Sequence, residues 1–313
     1  MKGLEIARQY YETYGRQILQ EEFSQVLPYL AIGLAGSGSE CYGYDDEASR
    51  DHDFEPAFCI FLPGEDLVDR RTAFLLERAY AKLPKTFMGL QRSPVNPVGG
   101  SRHGVIRTAD FFTAKTGTPD GNLSPAQWLS LPEYSLLEAT NGAVFRDPYG
   151  QFTAIRDKLK YFPEDVRRKK LAGHLLLMGQ AGQYNYSRCV TRGETGAAQL
   201  ALFEFTQSAL HSIYLINRAY MPYYKWSFRG LKGLPRLDTL ARDLELLIST
   251  GNDAPAFKEK LQRIETICAA IAGELRSQGL TDLENAEMEQ QAYALNDTVT
   301  DHTLRNSHIL QGV

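Results

Sequence analysis

The segment that most constrains this chain lies between two short apolar runs, Tyr29 to Ala35 and Phe58 to Leu62. After the first comes Gly36-Ser37-Gly38-Ser39, and before the second comes Arg50-Asp51-His52-Asp53-Phe54. The first run predicts a buried strand that breaks at small residues, with a helix beginning at once. Small residues let an anion approach the backbone, and a helix start offers free N–H groups to it. Ser39 adds a hydroxyl donor. Asp51 and Asp53 flank one residue at the start of the next predicted strand. Strand side chains alternate, so both carboxylates share a face. They repel each other unless a cation sits between them. Magnesium takes oxygen ligands, usually one or two carboxylates plus substrate phosphates. Taken apart, these are a glycine turn and two solvated acids. Taken in this order, they are the equipment for metal-assisted phosphoryl or nucleotidyl transfer.

The flanking segments predict an α+β first half. Ile6, Tyr10, Tyr14, Ile18 and Phe23 recur at helical spacing over Ile6 to Val26. A strand is expected from Asp53 to Leu62, and a helix from Asp66 to Leu83, closed by Pro84. Ser93 to Ser101 reads as a loop. His103 to Thr108 reads as a third strand, leading into a helix at Asp110. Asp45, Asp46 and Glu47 read as solvated loop acids, and His103 as a structural residue.

From about Gly150 nearly every segment reads as helix. Pro163-Glu164-Asp165 opens one, with acids near the positive end of its dipole. It continues over Val166 to Ser187. Glu194 to Tyr220 follows, apolar at Leu200, Phe203, Leu210 and Leu215. Leu237 to Thr250 and Phe257 to Gln278 are two more. The basic run Arg167-Arg168-Lys169-Lys170 reads as a solvated helix face, and residues from about Thr298 as a loosely held tail. The expected organisation is therefore a sheet domain over residues 1–149 and an all-helical bundle over residues 150–313.

Composition narrows the function. The 313 residues are 43% hydrophobic and 23% charged, enough for two cores. A net charge of -4 argues against broad contact with nucleic acid backbones, which needs clustered cations. It suits a neutral or cationic small substrate. The four cysteines form no C-x-x-C pair and the six histidines no H-E-x-x-H. Neither a zinc site nor a disulfide framework is expected. No signal peptide and no membrane span are read, so the expected location is cytoplasmic.

Gly38-Ser39 followed by Asp51-His52-Asp53 resembles the signature of the nucleotidyltransferase superfamily of DNA polymerase beta. The run Gly36 to Phe54 also resembles a bacterial family, the domain of unknown function numbered 4037. So do Thr140-Asn141-Gly142-Ala143-Val144-Phe145, Gly182-Gln183-Tyr184-Asn185 and Tyr223-Tyr224-Lys225-Trp226. The two-part layout is similar to that of aminoglycoside nucleotidyltransferases. The resemblance implies a nucleotidyltransferase-type mixed sheet, one or two Mg2+ ions on Asp51 and Asp53, and a nucleoside triphosphate held at Gly38 and Ser39. It implies transfer of a nucleoside monophosphate to an acceptor hydroxyl on a small molecule. It also implies a third carboxylate, for which Asp110 is the candidate and Glu55 the rival. Helical-domain residues are then expected to contact nucleotide: Gln183, Tyr184, Arg188 and Lys225. Two alternatives stand beside this reading. One is a nucleotide-binding sensor without turnover, and the other is transfer to RNA or protein.

Overall fold

Four short apolar runs pair into one mixed sheet in the computed structural model of the chain, which describes residues 1–47, 55–92 and 103–313. The strands in chain order are β1 (Ala31–Leu34), β2 (Cys59–Leu62), the short pair β3 (Thr86–Phe87) and β4 (Leu90–Gln91), β5 (Gly104–Arg107) and β6 (Ala143–Arg146). The sheet order is β5-β2-β1-β6, with β3 and β4 forming a separate hairpin. Strands β1 and β2 run antiparallel, with Gly33 opposite Cys59 and Ala31 opposite Phe61. Strands β2 and β5 run parallel, with Cys59 opposite Gly104 and Leu62 opposite Arg107. β6 joins the other edge of β1 antiparallel.

The chain divides into two compact units, Met1–Leu123 with Tyr134–Lys160, and Ser124–Glu133 with Tyr161–Val313. The first holds the sheet. Its helices are α1 (Gly3–Tyr10), which continues through a π turn at Tyr11–Gly15 into α2 (Arg16–Glu22), α3 (Ser39–Tyr42), α4 (Arg70–Lys82) and α5 (Thr108–Thr116). After α6 (Pro125–Ser130), which belongs to the second unit, come α7 (Glu133–Thr140) and α8 (Gln151–Leu159).

Every residue of β1 and β2 is buried, as expected of strands covered on both faces. Alternation along β2 sorts its side chains. Ile60 and Leu62 join Tyr10, Leu19, Ile32, Leu76 and Tyr80 in one cluster, under the first helices and α4. Phe61 points the other way and stacks on Phe152 of α8 at 4.0 Å between centroids, with Phe111 of α5 at 5.1 Å. β6 was not expected as a strand. Asp45 corrects a second expectation: it is buried, and its Oδ2 accepts from Gly3 N at 3.0 Å, capping α1 from a distance.

The second unit is helical throughout. It contains α9 (Glu164–Met178), which runs through a π segment, Gly179–Tyr186, into α10 (Ser187–Thr191). It continues with α11 (Thr195–Ile216), α12 (Tyr224–Leu231), α13 (Ala241–Ser249), α14 (Ala254–Ser277), α15 (Met288–Asp297) and α16 (His302–Asn306). Along α11 the buried stripe is Ala198, Leu202, Phe205, Ala209 and Ile213, whereas Leu200 and Phe203 are exposed.

The basic run of α9 is not a solvated face. Arg167, Lys169 and Lys170 are all buried. A buried cation is tolerable only when paired or hydrogen-bonded, and each of these is. Arg167 forks onto Glu164 and donates to Leu215 O at 3.0 Å. Arg168 donates to Glu164 and to Thr298 O. Lys169 reaches Asn296 Oδ1 and Ser307 O, both at 2.9 Å, and Lys170 reaches Leu129 O and Gly312 O. The segment after Thr298 is therefore held, not loose. Asp165 adds bonds to Thr300 N and Asp301 N, and Val299 and Leu304 are buried.

Glu164 is the anion that balances this run. Hydrogen bonds from Arg167, then Arg168, lower its pKa from 4.5 to about 2 against the opposing effect of partial burial. Arg218 lies 3.0 Å from its second oxygen. A depressed folded pKa means stability present above the unfolded value and lost as pH falls through the folded one. Glu164→Gln is therefore expected to be less stable than wild type at pH 7, with Arg167 left buried and half-paired. The gap should narrow as pH drops from about 4.5 toward about 2. Urea unfolding of both proteins across that range measures it, and a gap independent of pH would contradict the pairing.

Candidate functional site

The Gly-Ser turn follows β1 directly. Gly36 and Gly38 have φ of 118° and 148°, a region that side chains disfavour, so the turn is built for glycine. Ser37 is exposed, and Gly38 and Ser39 are partly so, which leaves this backbone within reach of a ligand. Ser39 opens the single-turn helix α3.

Three elements brace the turn. Asn141 grips Gly36 twice: its Oδ1 accepts from Gly36 N and its Nδ2 donates to Gly36 O, both at 2.9 Å. Gly142 N donates to Cys41 O at 3.0 Å. A Cβ on Gly142 would lie 2.0 Å from Leu34 O, so only glycine fits there. Arg156 holds the carbonyls of Thr140 and Asn141. Glu138 accepts from Tyr42 Oη at 3.0 Å and from Lys115 Nζ. Burial, with Glu138 beside it, pushes the Tyr42 hydroxyl far above its ordinary pKa, so it remains a donor.

The strand directions decide which residues share this end of the sheet. β1 is antiparallel to β2, so the Gly36 turn leaves the sheet where β2 enters it, at Cys59. β5 is parallel to β2, so it enters at that end too, through His103 and Gly104. Glu55 lies there, with Oε1 2.7 Å from His103 Nδ1. Asp51 and Asp53 lie outside the described residues, as does the expected loop from Ser93 to Ser101. Asp110 follows the far end of β5 and stands exposed in the first turn of α5; the next residue, Phe111, turns its ring toward Gly36.

The expected residues of the second unit fall into separate groups. Gln183 sits in the π segment and is engaged with Met288 N, Ala286 O and Glu265. Tyr184 and Arg188 are both exposed and pair with each other, the guanidinium 4.5 Å from the ring centre. Lys225 is exposed on α12, with its ammonium 5.3 Å from the Trp226 ring.

The second unit also assembles a constellation that sequence spacing did not reveal. Where α9 packs on α11, His174 and His211 stack with ring planes 2° apart and centroids 4.4 Å apart. Glu133, the first residue of α7, places Oε1 2.9 Å from His211 Nδ1, and its Oε2 accepts from Met221 N at 2.9 Å. His174 is buried, and its Nδ1 has no hydrogen-bond partner. Such an orphan costs about 1–3 kcal/mol and calls for an explanation. Burial, then the neighbouring His211 and Lys170, hold its pKa well below the ordinary value, so the ring is neutral. Beside the three residues opens a cavity of about 450 Å³, lined also by Lys170, Glu204, Gln207 and Ser208. The three lie far apart in sequence, on three elements, so no local motif marks them. The available signal was weaker: Lys170 and His174 are one turn apart on α9, as are Gln207, Ser208 and His211 on α11.

Comparison with known families gives one match. Residues 128–227 fit the sequence model of the family described as Domain of unknown function (DUF4037). The matched stretch is about a third of the chain. It contains Glu133, Asn141, His174 and His211, and excludes the Gly-Ser turn and the Asp51-x-Asp53 segment. No curated protein matches the chain.

Removing the Asn141 side chain leaves Gly36 N and O without their partners. Asn141→Ala is expected to lose about 1–3 kcal/mol of stability. Urea denaturation checks this, and wild-type stability in the variant would remove Asn141 from the brace.

Proposed function

We propose that the chain is a metal-dependent nucleotidyltransferase that moves a nucleoside monophosphate from a nucleoside triphosphate to a hydroxyl of a small acceptor. One observation carries the reading. The glycine turn leaves β1 at the end of the sheet where β2 enters, and the sequence joining the two strands contains Asp51 and Asp53. A glycine turn at that end of the sheet, and a pair of carboxylates in the sequence that leads back to it, support the pairing nucleotidyl transfer needs.

In this reading the backbone of Gly38 and the hydroxyl of Ser39 cradle the triphosphate. Asp51 and Asp53 offer an all-oxygen donor set, which suits magnesium. One or two such ions would supply charge neutralisation at the phosphates. The acceptor oxygen attacks the α-phosphorus in line, its proton passes to a carboxylate, and pyrophosphate departs. Glu55 takes the proton-accepting role better than Asp110. It lies at the β2 and β5 entry, and the Glu55–His103 bond fixes its carboxylate. Asp110 follows the opposite end of β5. Should neither carboxylate serve as the acid, the second reading is a nucleotide-binding module without turnover.

Calorimetric titration with each ribonucleoside triphosphate and magnesium tests the site. One triphosphate is expected to bind in a metal-dependent manner. Asp53→Asn should weaken it by about 1.5–3 kcal/mol, roughly tenfold to a hundredfold, while Asp110→Asn should leave it unchanged. Failure of every triphosphate to bind wild type would remove both the enzyme and the binding-module readings. Binding without pyrophosphate release in the presence of candidate acceptors would favour the module.

A further inference from the structure

We propose that Glu133, His174 and His211 form a binding site for a divalent first-row transition metal, of which zinc is the natural probe. Each of the three residues offers one ligand atom, and these atoms all lie within 4.8 Å of one another. Two imidazoles and one carboxylate are a common donor set for zinc sites that keep a position open for water or substrate. The site does not depend on the nucleotidyltransferase reading, because it lies wholly within the helical unit.

Three features support a built site over a chance meeting of side chains. His174 is buried and presents Nδ1 to no hydrogen-bond donor or acceptor, and a metal ion supplies the missing partner. The Met221 N–H holds one oxygen of Glu133, which sets the other against His211 within the cluster. The cavity beside the cluster, lined also by Ser208, Gln207 and Glu204, leaves room for an ion and for water on it.

The local charge also permits a cation. Lys170 is the opposing charge, one turn before His174, and its ammonium is committed to the carbonyls of Leu129 and Gly312. Glu133 and Glu204 outnumber it around the cavity. An ion lies in the plane of each imidazole it binds, so two parallel rings do not share one without adjustment. His211 is the ring with room to turn, since it borders the cavity and is partly exposed. Turning it breaks the bond to Glu133 and releases that oxygen to the ion.

The full-length chain, stripped with a chelator, is titrated with zinc against a chromophoric competitor. The same titration is made on His211→Ala and Asp53→Asn. X-ray absorption at the zinc edge reads the ligands of the loaded wild type. The expected result is one zinc per chain, with two imidazole nitrogens at about 2.0–2.1 Å. Affinity should fall more than tenfold in His211→Ala and stay unchanged in Asp53→Asn. His211 is partly exposed, so its removal spares the fold, and circular dichroism of the metal-free variant verifies that. No binding by wild type, an absorption spectrum without imidazole, or unchanged affinity in folded His211→Ala would overturn the assignment.

Discussion

The helical unit depends on where the cations of α9 end. Arg167, Lys169 and Lys170 are buried side chains that desolvation would make ruinous without partners. Besides Glu164 and Asn296, the partners of these three and of Arg168 include carbonyls at the C-terminal ends of other helices. Leu215 lies in the last turn of α11, Thr298 caps α15, Ser307 follows α16, and Leu129 lies in the last turn of α6. The C-terminal end of a helix carries the negative end of its dipole. One stretch of α9 thus gathers four helix termini. The same clamp fixes the rotation of α9, and His174 follows Lys170 by one turn. The register that satisfies the lysines therefore also faces His174 toward α11 and His211.

The sheet unit depends on a different constraint, close backbone approach. Gly33 stands against Ala143 O and Gly142 against Leu34 O, at separations a side chain would not allow. β1 and the segment entering β6 are thereby held together, and Asn141 lands beside Gly36. The turn that is our candidate phosphate cradle takes its shape from its own glycines and is held by this distant asparagine. A glycine-rich turn left alone would pay a large conformational entropy on binding. Bracing it from Asn141 settles part of that cost in folding.

Much of the sheet was legible because strand signals are local. The apolar runs at Tyr29–Ala35 and His103–Thr108 contain β1 and β5, and the helix after Asp66 contains α4 with Asp69 as its cap. What failed was everything that needed a second element. Asn141 and Gly36 are paired across more than a hundred residues, and Glu133, His174 and His211 converge from three. Leu200 and Phe203 misled because α11 is apolar on several faces, so periodicity could not choose among them. The basic run was the avoidable error. Successive helix residues turn by about 100°, so four in a row sweep most of the circumference. No helix lying on a core can keep all four in water, and at least one had to be buried and paired.

The two candidate metal sites differ in the chemistry of their donors, and that difference has a direction. Asp51 and Asp53 offer hard oxygen, which magnesium accepts while keeping several waters. Glu133, His174 and His211 offer two imidazoles, which magnesium does not compete for and which zinc prefers. Affinity for nitrogen and oxygen donors rises toward the later first-row metals. Zinc is therefore able to enter a carboxylate pair, whereas magnesium is a poor occupant of the imidazole site. On these assignments the imidazole cluster is the stronger of the two sites for zinc.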